Sequence, residues 1–330
     1  MQKLNQTIAK QKGVALIMLT AIVSLVILIF IVKNLDGKQF EALKKDKTAK
    51  ALFEAKNALL GWTILRGASG APSTATPGQL PCPEDLTLIG TPNEGNAMTS
   101  CSSTLPVVGR LPWRSLGLGD LRDGNGDKLW YAISTGFRDA PINTNTIGQL
   151  NIDGNLNATV VIIFSPGVIS TGQNRPIPTS TSPPAIANYL DLSNNNGDDS
   201  FTTTGSTATF NDVLITIKHT EFFQMVEKRI LKEVRGDNTQ GLVRFYATQG
   251  ANNYPFADTN NDGIVNLGTL LGNPSYEGIN GIDPDNLFFN TRVKNILTNN
   301  NWMQLINYQI SPDRQTTTMT LNTQSIIVVP

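Results

Sequence analysis

A long apolar segment near the N terminus constrains this chain more than any other feature. Residues 14–32 form a run of 19 in which only Thr20 and Ser24 are polar. As a helix rising 1.5 Å per residue the run is about 28 Å long, close to the ~30 Å hydrocarbon core of a bilayer. The sequence therefore predicts one transmembrane helix at this position.

The residues that flank the apolar segment indicate how it is processed. Lys10 and Lys12 precede it, no acidic residue does, and Gly13 stands directly before it. A secretory signal peptide has a shorter apolar region and then a small-residue cleavage site, whereas this segment runs into Lys33 with no such site. Two alternatives stay open: removal of the whole segment as a signal peptide, and retention as an ordinary signal anchor.

A basic, acid-free leader that ends in glycine before an apolar helix resembles the precursors of type IV pilin-like proteins. The resemblance implies that prepilin peptidase cuts between Gly13 and Val14, leaves the helix on the mature protein and methylates the new amine. The fifth residue after that bond is Met18, where most pilins carry a glutamate that pairs with a neighbouring subunit's amine. In lacking it, the chain resembles atypical minor subunits at filament tips, above all the large minor pseudopilin of type II secretion.

Further motifs extend the resemblance over most of the chain. A group of large bacterial pilin-like proteins carries similar elements, and the resemblance implies a location and an architecture more than an activity. The matching segments here are Leu80-Pro81-Cys82-Pro83, Gly109-Arg110-Leu111-Pro112-Trp113, Leu129-Trp130-Tyr131-Ala132, and residues 160–167, 172–175, 198–201 and 226–229.

Two cysteines, Cys82 and Cys101, are the only ones in the chain. Both lie in a Pro/Gly/Ser/Thr-rich stretch outside the membrane, where a disulfide would stabilise the fold by about 3 kcal/mol and would fit an oxidising periplasm. Two free thiols and a zinc site are the open alternatives. The zinc site is the weaker of these because the single histidine, His219, is distant in sequence.

The orientation of the chain is a point of conflict. More lysines follow the apolar segment than precede it, and a bare count of basic residues therefore favours a cytoplasmic C terminus. The leader and the cysteine pair favour the opposite orientation. On those two grounds the prediction is a single-pass inner-membrane protein with a periplasmic C-terminal domain, or a cell-surface location within an assembled filament.

The predicted fold class is α+β, with a long N-terminal transmembrane helix followed by one or two pilin-like modules of a helix on an antiparallel sheet. Helical spacing of apolar residues continues beyond the membrane with a bend at Gly37, and the β-branched run 160–164 predicts a buried strand. The predicted units are a prepilin-type leader 1–13, a transmembrane and extended helix 14–62, a first extracytoplasmic module 63–175, a loop-rich connection 176–208, and a second extracytoplasmic module 209–330.

An internal duplication is a further hypothesis. Tyr131 follows Pro81 by 50 residues, and Tyr308 follows Pro255 by 53, each pair after a helical segment. The similar order and spacing predict two related helix-plus-sheet modules with the same strand order.

Acidic turns raise the question of a structural calcium ion, the one cofactor that the sequence suggests. Four residues place oxygen ligands at positions 1, 3, 5 and 9 of an EF-hand-like loop: Asp258, Asn260, Asp262 and Asn266. Position 12 is a threonine, so another part of the chain would have to complete the site, and Asp283 and Asp285 are the candidates. The segment 123–127 is a weaker match, and Asn/Asp/Gly clusters are also typical of tight turns.

The sequence carries no catalytic motif, and its 26 basic and 26 acidic residues balance, which argues against nucleic acid as a partner. The preferred function is non-enzymatic: a minor pilin or pseudopilin, at or near the tip of a type IV pilus or a type II secretion pseudopilus. Its partners would be prepilin peptidase, other pilin or pseudopilin subunits and the inner membrane. The alternative is a membrane-tethered periplasmic binding module outside any filament, followed by an anchored hydrolase.

Overall fold

The computed structural model describes residues 2–34, 37–68, 75–101, 106–139, 141–204, 210–248, 251–276 and 287–330. Within these ranges the helices are α1 Gln2–Asn34, α2 Gly37–Leu65, α3 His219–Arg235, α4 Gly241–Thr248 and α5 Thr291–Asn299. The strands are β1 Val107–Arg110, β2 Trp130–Ile133, β3 Leu150–Ile152, β4 Asn155–Ser165, β5 Ser200–Phe201, β6 Val213–Lys218, β7 Leu271–Gly272, β8 Asn307–Ile310, β9 Thr317–Leu321 and β10 Gln324–Val328.

The mixed α+β class is confirmed, and an apolar helix opens the chain. Helix α1 includes the predicted leader, so residues 2–13 and the apolar segment belong to one helix. Helix α2 extends to Leu65, slightly beyond the predicted end at residue 62. The predicted bend at Gly37 adjoins residues 35 and 36, which lie outside the described residues.

One face of α2 packs on the first sheet. Its buried residues recur every three or four positions, as Thr48, Leu52, Ala55 and Leu59, which is the spacing of one helical face. Helix α2 contacts both β4 and β6, and Ala55 on its inner face is fully buried. The apolar face predicted from sequence is only partly buried, because Phe53 is exposed.

A tight turn between β1 and β2 holds the first turns of α2. The backbone N–H of Gly124 donates a 2.9 Å hydrogen bond to Thr48 Oγ1. The approach is so close that a Cβ atom on Gly124 would lie 2.1 Å from the carbonyl oxygen of Lys44. Glycine at this position therefore lets the turn and the helix touch backbone to backbone.

The first sheet is built around β4, whose residues 159–165 are buried as the β-branched run predicted. It contains an antiparallel series in the order β1-β2-β4-β6, and β3 and β5 extend it beside β4. Strand β6 pairs with β4 from Val213 to Lys218. The sequence-derived boundary at residue 209 assigns β6 to the second module, but its hydrogen bonds place it in the first sheet.

The second sheet is a four-stranded antiparallel meander in the order β7-β8-β9-β10. Helix α3 contacts β4 and β6 on one side and β9 and β10 on the other, and it also contacts α2. Its buried residues include Phe222 and Phe223 near the first sheet's Phe137. The two sheets therefore share one hydrophobic core through α3.

When β3 and β5, which have no counterpart in the second sheet, are set aside, the two antiparallel series have the same strand order, as the duplication hypothesis predicts. Each also holds its second strand by the same buried contact. Tyr131 Oη donates to the carbonyl oxygen of Pro81 at 3.2 Å, and Tyr308 Oη donates to that of Pro255 at 3.0 Å. Helix α2 precedes the first sheet and α3 the second, so the order of helix and strands is repeated as well.

Substitution Gly124→Ala tests the contact between the turn and α2. The added methyl group overlaps the Lys44 carbonyl oxygen, and overpacking of this kind costs about 1–3 kcal/mol. We expect the free energy of unfolding to fall by that amount in denaturant titrations of the full chain in detergent. Gly119→Ala is the matched control, because a Cβ atom added there would have no other atom within 4 Å. Equal stability of both variants would contradict the contact.

Candidate functional site

The N-terminal helix carries the first candidate site. Residues 14–31 make up the helix that is long and apolar enough to cross a membrane in the part of the chain that the structure describes. None of this segment is buried by the rest of the chain, and Val14 and Met18 are both exposed. Thr20 Oγ1 donates to the Ile17 carbonyl oxygen at 2.9 Å, which satisfies its hydroxyl within the helix. The segment is compatible with a single-pass anchor, and its length and composition also fit a signal sequence.

The predicted processing position lies inside this helix. Gly13 and Val14 are both helical residues of α1, so a peptidase that cuts between them acts on a helical segment at the edge of the apolar span. No structural feature of the described residues covers Val14, whose side chain is about half exposed. Processing at Gly13 stays a prediction.

The predicted disulfide between Cys82 and Cys101 is present, and the described chain has no free cysteine. A bridge between Glu84 and Ala97 closes the same loop through backbone hydrogen bonds. Because both sulfur atoms are used in the disulfide, the zinc and free-thiol alternatives do not apply to this structure. The loop is therefore fixed covalently next to the end of α2, which it meets at Trp62 in a shared cleft.

The side chain of His219 makes packing and hydrogen-bond contacts within the fold. The residue begins α3, its ring packs against Phe223 with centroids 4.6 Å apart, and its Nε2 lies 3.0 Å from the Thr146 carbonyl oxygen. His219 is therefore a polar residue at the turn between β6 and α3, held by contacts with Phe223 and Thr146.

A buried arginine organises the loops that follow β4. The Arg175 guanidinium is almost fully buried and donates from Nη1 to Asp127 Oδ2 at 2.6 Å and to the Gly167 carbonyl oxygen at 2.9 Å. Its Nε donates to the Asn188 carbonyl oxygen at 2.9 Å, and the group stacks on the Tyr189 ring. Arg175 therefore links two distant points of the loops after β4, at Gly167 and Asn188, to the 123–127 turn.

The same contacts explain the acidic turn 123–127. Asp123 Oδ1 accepts the backbone N–H groups of Asn125 and Asp127, and its Oδ2 accepts the Ser165 hydroxyl at 2.6 Å. Asp127 is paired with Arg175. Protein donors thus already occupy the carboxylates that a calcium ion would need, which matches the tight-turn interpretation of this segment.

A second buried polar cluster joins the loops to the start of β6. Asp191 accepts from Ser170 Oγ at 3.1 Å and from Gln173 Nε2 at 2.7 Å. Asp212 Oδ2 accepts the Asp191 backbone N–H and the Asn194 side-chain amide, both at 2.9 Å. Asp212 Oδ1 is buried and has no hydrogen-bond partner. Burial raises the pKa of Asp212 from 3.8 to about 7, and the nearby Asp191 carboxylate adds to this effect.

Sequence reasoning did not identify these two clusters as structural centres. One signal was present, since Arg175 is the only basic residue between Arg138 and Lys218 in a stretch that carries several aspartates. A lone cation among acids is a candidate for a buried partner. No comparable pattern marks Asp212, because its burial depends on how the loops fold over β6.

Substitution Asp212→Asn tests the buried carboxyl group. When folding raises the pKa of an acid, ionisation of that acid destabilises the folded state. The destabilisation grows as the pH rises from the pKa of the group in the unfolded chain, near 4, to its pKa in the folded chain, near 7. At ~1.4 kcal/mol per pKa unit this effect reaches at most about 4 kcal/mol. We expect Asp212→Asn to be more stable than the wild type at pH 8, and the difference to shrink towards pH 4, in denaturant titrations.

Asp198→Asn is the control for loss of one negative charge, because Asp198 is exposed in the same region. Its stability should follow the wild-type pH profile. A pH-independent difference between Asp212→Asn and the wild type would contradict the raised pKa.

The predicted calcium ligands do lie together in one turn, and hydrogen bonds within it use most of their oxygens. Asp258 Oδ1 accepts the backbone N–H groups of Asn260 and Asn261, and its Oδ2 accepts that of Gly263 at 2.7 Å. Asn266 Oδ1 accepts the Thr259 N–H at 2.7 Å. Asn260 Nδ2 donates to Asp262 Oδ2 at 2.9 Å.

Completion of a calcium site depends on residues beyond this turn. No group of three or more His, Cys, Asp or Glu side chains suited to a metal occurs among the described residues. Asp283 and Asp285, the predicted additional ligands, lie outside the described residues. Calcium binding therefore stays a prediction, while the hydrogen bonds of Asp258 establish a role in shaping the turn.

Substitution Asp258→Ala separates these two roles. Three backbone N–H groups lose their acceptor, so we expect a loss of about 1–3 kcal/mol of stability even in EDTA. Asp262→Asn keeps an acceptor oxygen for the Ile264 N–H and loses only the contact with the exposed Asn260 amide, so its stability should stay close to that of the wild type in EDTA. Calorimetry with and without calcium gives the measurement. Unchanged stability of Asp258→Ala in EDTA would contradict the turn role, and a calcium-dependent gain that Asp262→Asn abolishes would identify a metal site.

Comparison with known proteins gives no assignment for these sites. No family model matches the chain, and neither a curated protein nor a solved structure matches it. A functional assignment thus depends on the residues and contacts described above.

Proposed function

We propose that the protein is a minor pilin or pseudopilin, processed between Gly13 and Val14 and anchored by residues 14–31. It would act as a structural subunit at or near the tip of a type IV pilus or a type II secretion pseudopilus. The observation that carries this proposal is the basic leader that ends in Gly13 and is joined without a break to an apolar helix.

The exposed anchor helix supports an assembling role. Its apolar side chains have no covering from the described part of the chain, so lipid or other helices must surround them. Packing against the helices of other subunits would keep them out of water once the protein leaves the bilayer. Met18 offers no carboxylate to a neighbouring amine, which favours a position at the end of a filament.

The extracytoplasmic part supports the same proposal. Helix α2 follows the anchor and packs on an antiparallel sheet, and a disulfide fixes the loop beside its end. A second sheet is joined to the first through α3, so the extracytoplasmic body is large relative to its single anchor helix. A filament tip has no subunit above it, so a large body can be accommodated there without steric conflict.

N-terminal processing is the direct test. We expect the full chain, produced together with a prepilin peptidase, to yield a membrane protein that begins at Val14 with a methylated amine. Gly13→Val should keep Met1, because the bulky side chain occupies the position next to the cut bond. Intact mass measurement and N-terminal sequencing of the membrane fraction give the result.

The other outcomes have distinct meanings. A wild-type chain that keeps Met1 would contradict the pilin pathway and favour a membrane-tethered binding module. A chain that begins after residue 32 would identify the apolar helix as a removed signal peptide. If processing occurs, crosslinking from residues 14–31 to other pilin subunits should be lost in Gly13→Val, whereas a tethered binder would be unaffected.

A further inference from the structure

An exposed surface beside the start of α2 combines apolar and basic side chains. We call it the basal patch. Its apolar members are Val168, which is 52% exposed, and Val213, which is 48% exposed, and they share a cleft with Lys44, Lys45 and Glu41. Other exposed residues adjoin these members in sequence: Phe40, Leu43 and Lys47 on α2, and Ile169 after Val168. Exposed apolar side chains that cluster with lysines are typical of surfaces that bind other molecules.

The structure shows why distant segments meet in this patch. Lys44 and Lys45 line one cleft together with Val168 and Val213. The pairing of β4 with β6 places Val213 opposite Ser165, at the end of β4 that leads into the 166–175 loop. The contact of Gly124 with Thr48 holds α2 against the same end of the sheet.

The loop that presents Val168 is held in place from within. Arg175 Nη2 donates to the Pro166 carbonyl oxygen at 3.1 Å, and its Nη1 donates to that of Gly167 at 2.9 Å. Asn211 Nδ2 donates to the Val168 carbonyl oxygen at 2.8 Å. With the backbone fixed by these bonds, the Val168 side chain cannot turn inward to escape water without breaking them.

The basic residues of the patch exceed the local acids. Between residues 37 and 50 the sequence has five lysines and two acidic residues. Lys44 pairs with Glu41 and Lys50 pairs with Asp46. The exposed Lys45 and Lys47 have no carboxylate within 4.0 Å among the described residues. This end of the body is therefore positively charged beside its apolar residues.

The anchor of the same chain brings the patch close to a membrane. The apolar span ends at Ile31, and Lys44 follows it by 13 residues, which is about 20 Å if the intervening chain is helical. Gly37 begins α2, and glycine accepts the backbone change needed for α2 to lean over. The patch thus lies on the N-terminal part of α2, the part of the body that follows the anchor most closely in sequence.

We propose that, before assembly, the basal patch rests on the membrane surface and binds anionic phospholipid headgroups. Lys44, Lys45 and Lys47 contact the phosphate groups, while Val168 and Ile169 enter the interface beneath them. The proposal rests on the retained anchor of the proposed function. It also accounts for the many lysines that follow the span. Their number conflicts with a periplasmic C terminus if they only set the orientation, but here they bind lipid on the periplasmic side.

Depth-dependent fluorescence quenching tests the proposal. Val168→Cys of the full chain, labelled with an environment-sensitive fluorophore and placed at one chain per nanodisc, is exposed to brominated lipids. Ile147→Cys is the matched control, because Ile147 is 58% exposed and lies in a cleft with Asn157 and Lys218. That cleft is at the far end of β4, about 26 Å from Ser165 at ~3.3 Å per residue.

In discs that contain phosphatidylglycerol, quenching of the Val168 probe should be at least twofold stronger than that of the Ile147 probe. In discs of phosphatidylcholine alone, the difference should fall by at least half. Joint substitution of Lys44, Lys45 and Lys47 by glutamine should have the same effect. Joint substitution of three exposed lysines elsewhere should have none: Lys228, Lys232 and Lys294.

A third probe at Leu25→Cys separates failure of the patch from failure of the anchor. If Leu25 is quenched and Val168 is not quenched more than Ile147, the patch proposal is wrong and the anchor stands. If Leu25 is not quenched, the anchor itself fails. Equal quenching of Val168 with and without phosphatidylglycerol would overturn the role of anionic lipid. Shielding that appears only with several chains per disc would assign the patch to a second copy of the chain.

Discussion

The packing of α2 on the first sheet is the contact on which the rest of the structure depends. This helix follows the apolar N-terminal helix in the chain, and its buried face from Thr48 to Leu59 packs against the strands of the body. The close approach of Gly124 to the Lys44 backbone fixes where α2 lies along the sheet.

Helix α3 makes a second long-range connection, because both sheets pack on it. A body of two separate modules could move about its linker, whereas a shared core couples the two sheets. Charged side chains also connect distant segments in the loops, where the ion pair of Arg175 with Asp127 joins segments far apart in sequence. Removing one partner of such a pair leaves an uncompensated buried charge, which is strongly destabilising.

Much of the local structure follows from patterns that short-range physics imposes. The β-branched run 160–164 predicts a buried strand, and β4 contains it. The spacing of Tyr131 from Pro81 and of Tyr308 from Pro255 predicts a duplication, and the equivalent buried hydrogen bonds that the two tyrosines make are known only from the structure. The predicted module boundary at residue 209 separates β6 from β4, whereas β6 pairs with β4 in the first sheet, because the pattern of a strand does not specify its partner.

The sequence by itself determined the apolar N-terminal helix, the class of the fold and the pairing of Cys82 with Cys101. The apolar helix and the fold class follow from local composition and pattern, and the disulfide follows from the presence of only two cysteines. Only the tertiary structure decided that α3 serves both sheets, that Asp212 is buried without a full set of donors, and that Val168 lies beside Lys44. The physical reason is that burial and charge depend on which distant segments meet, and that information is not local to any stretch of the chain.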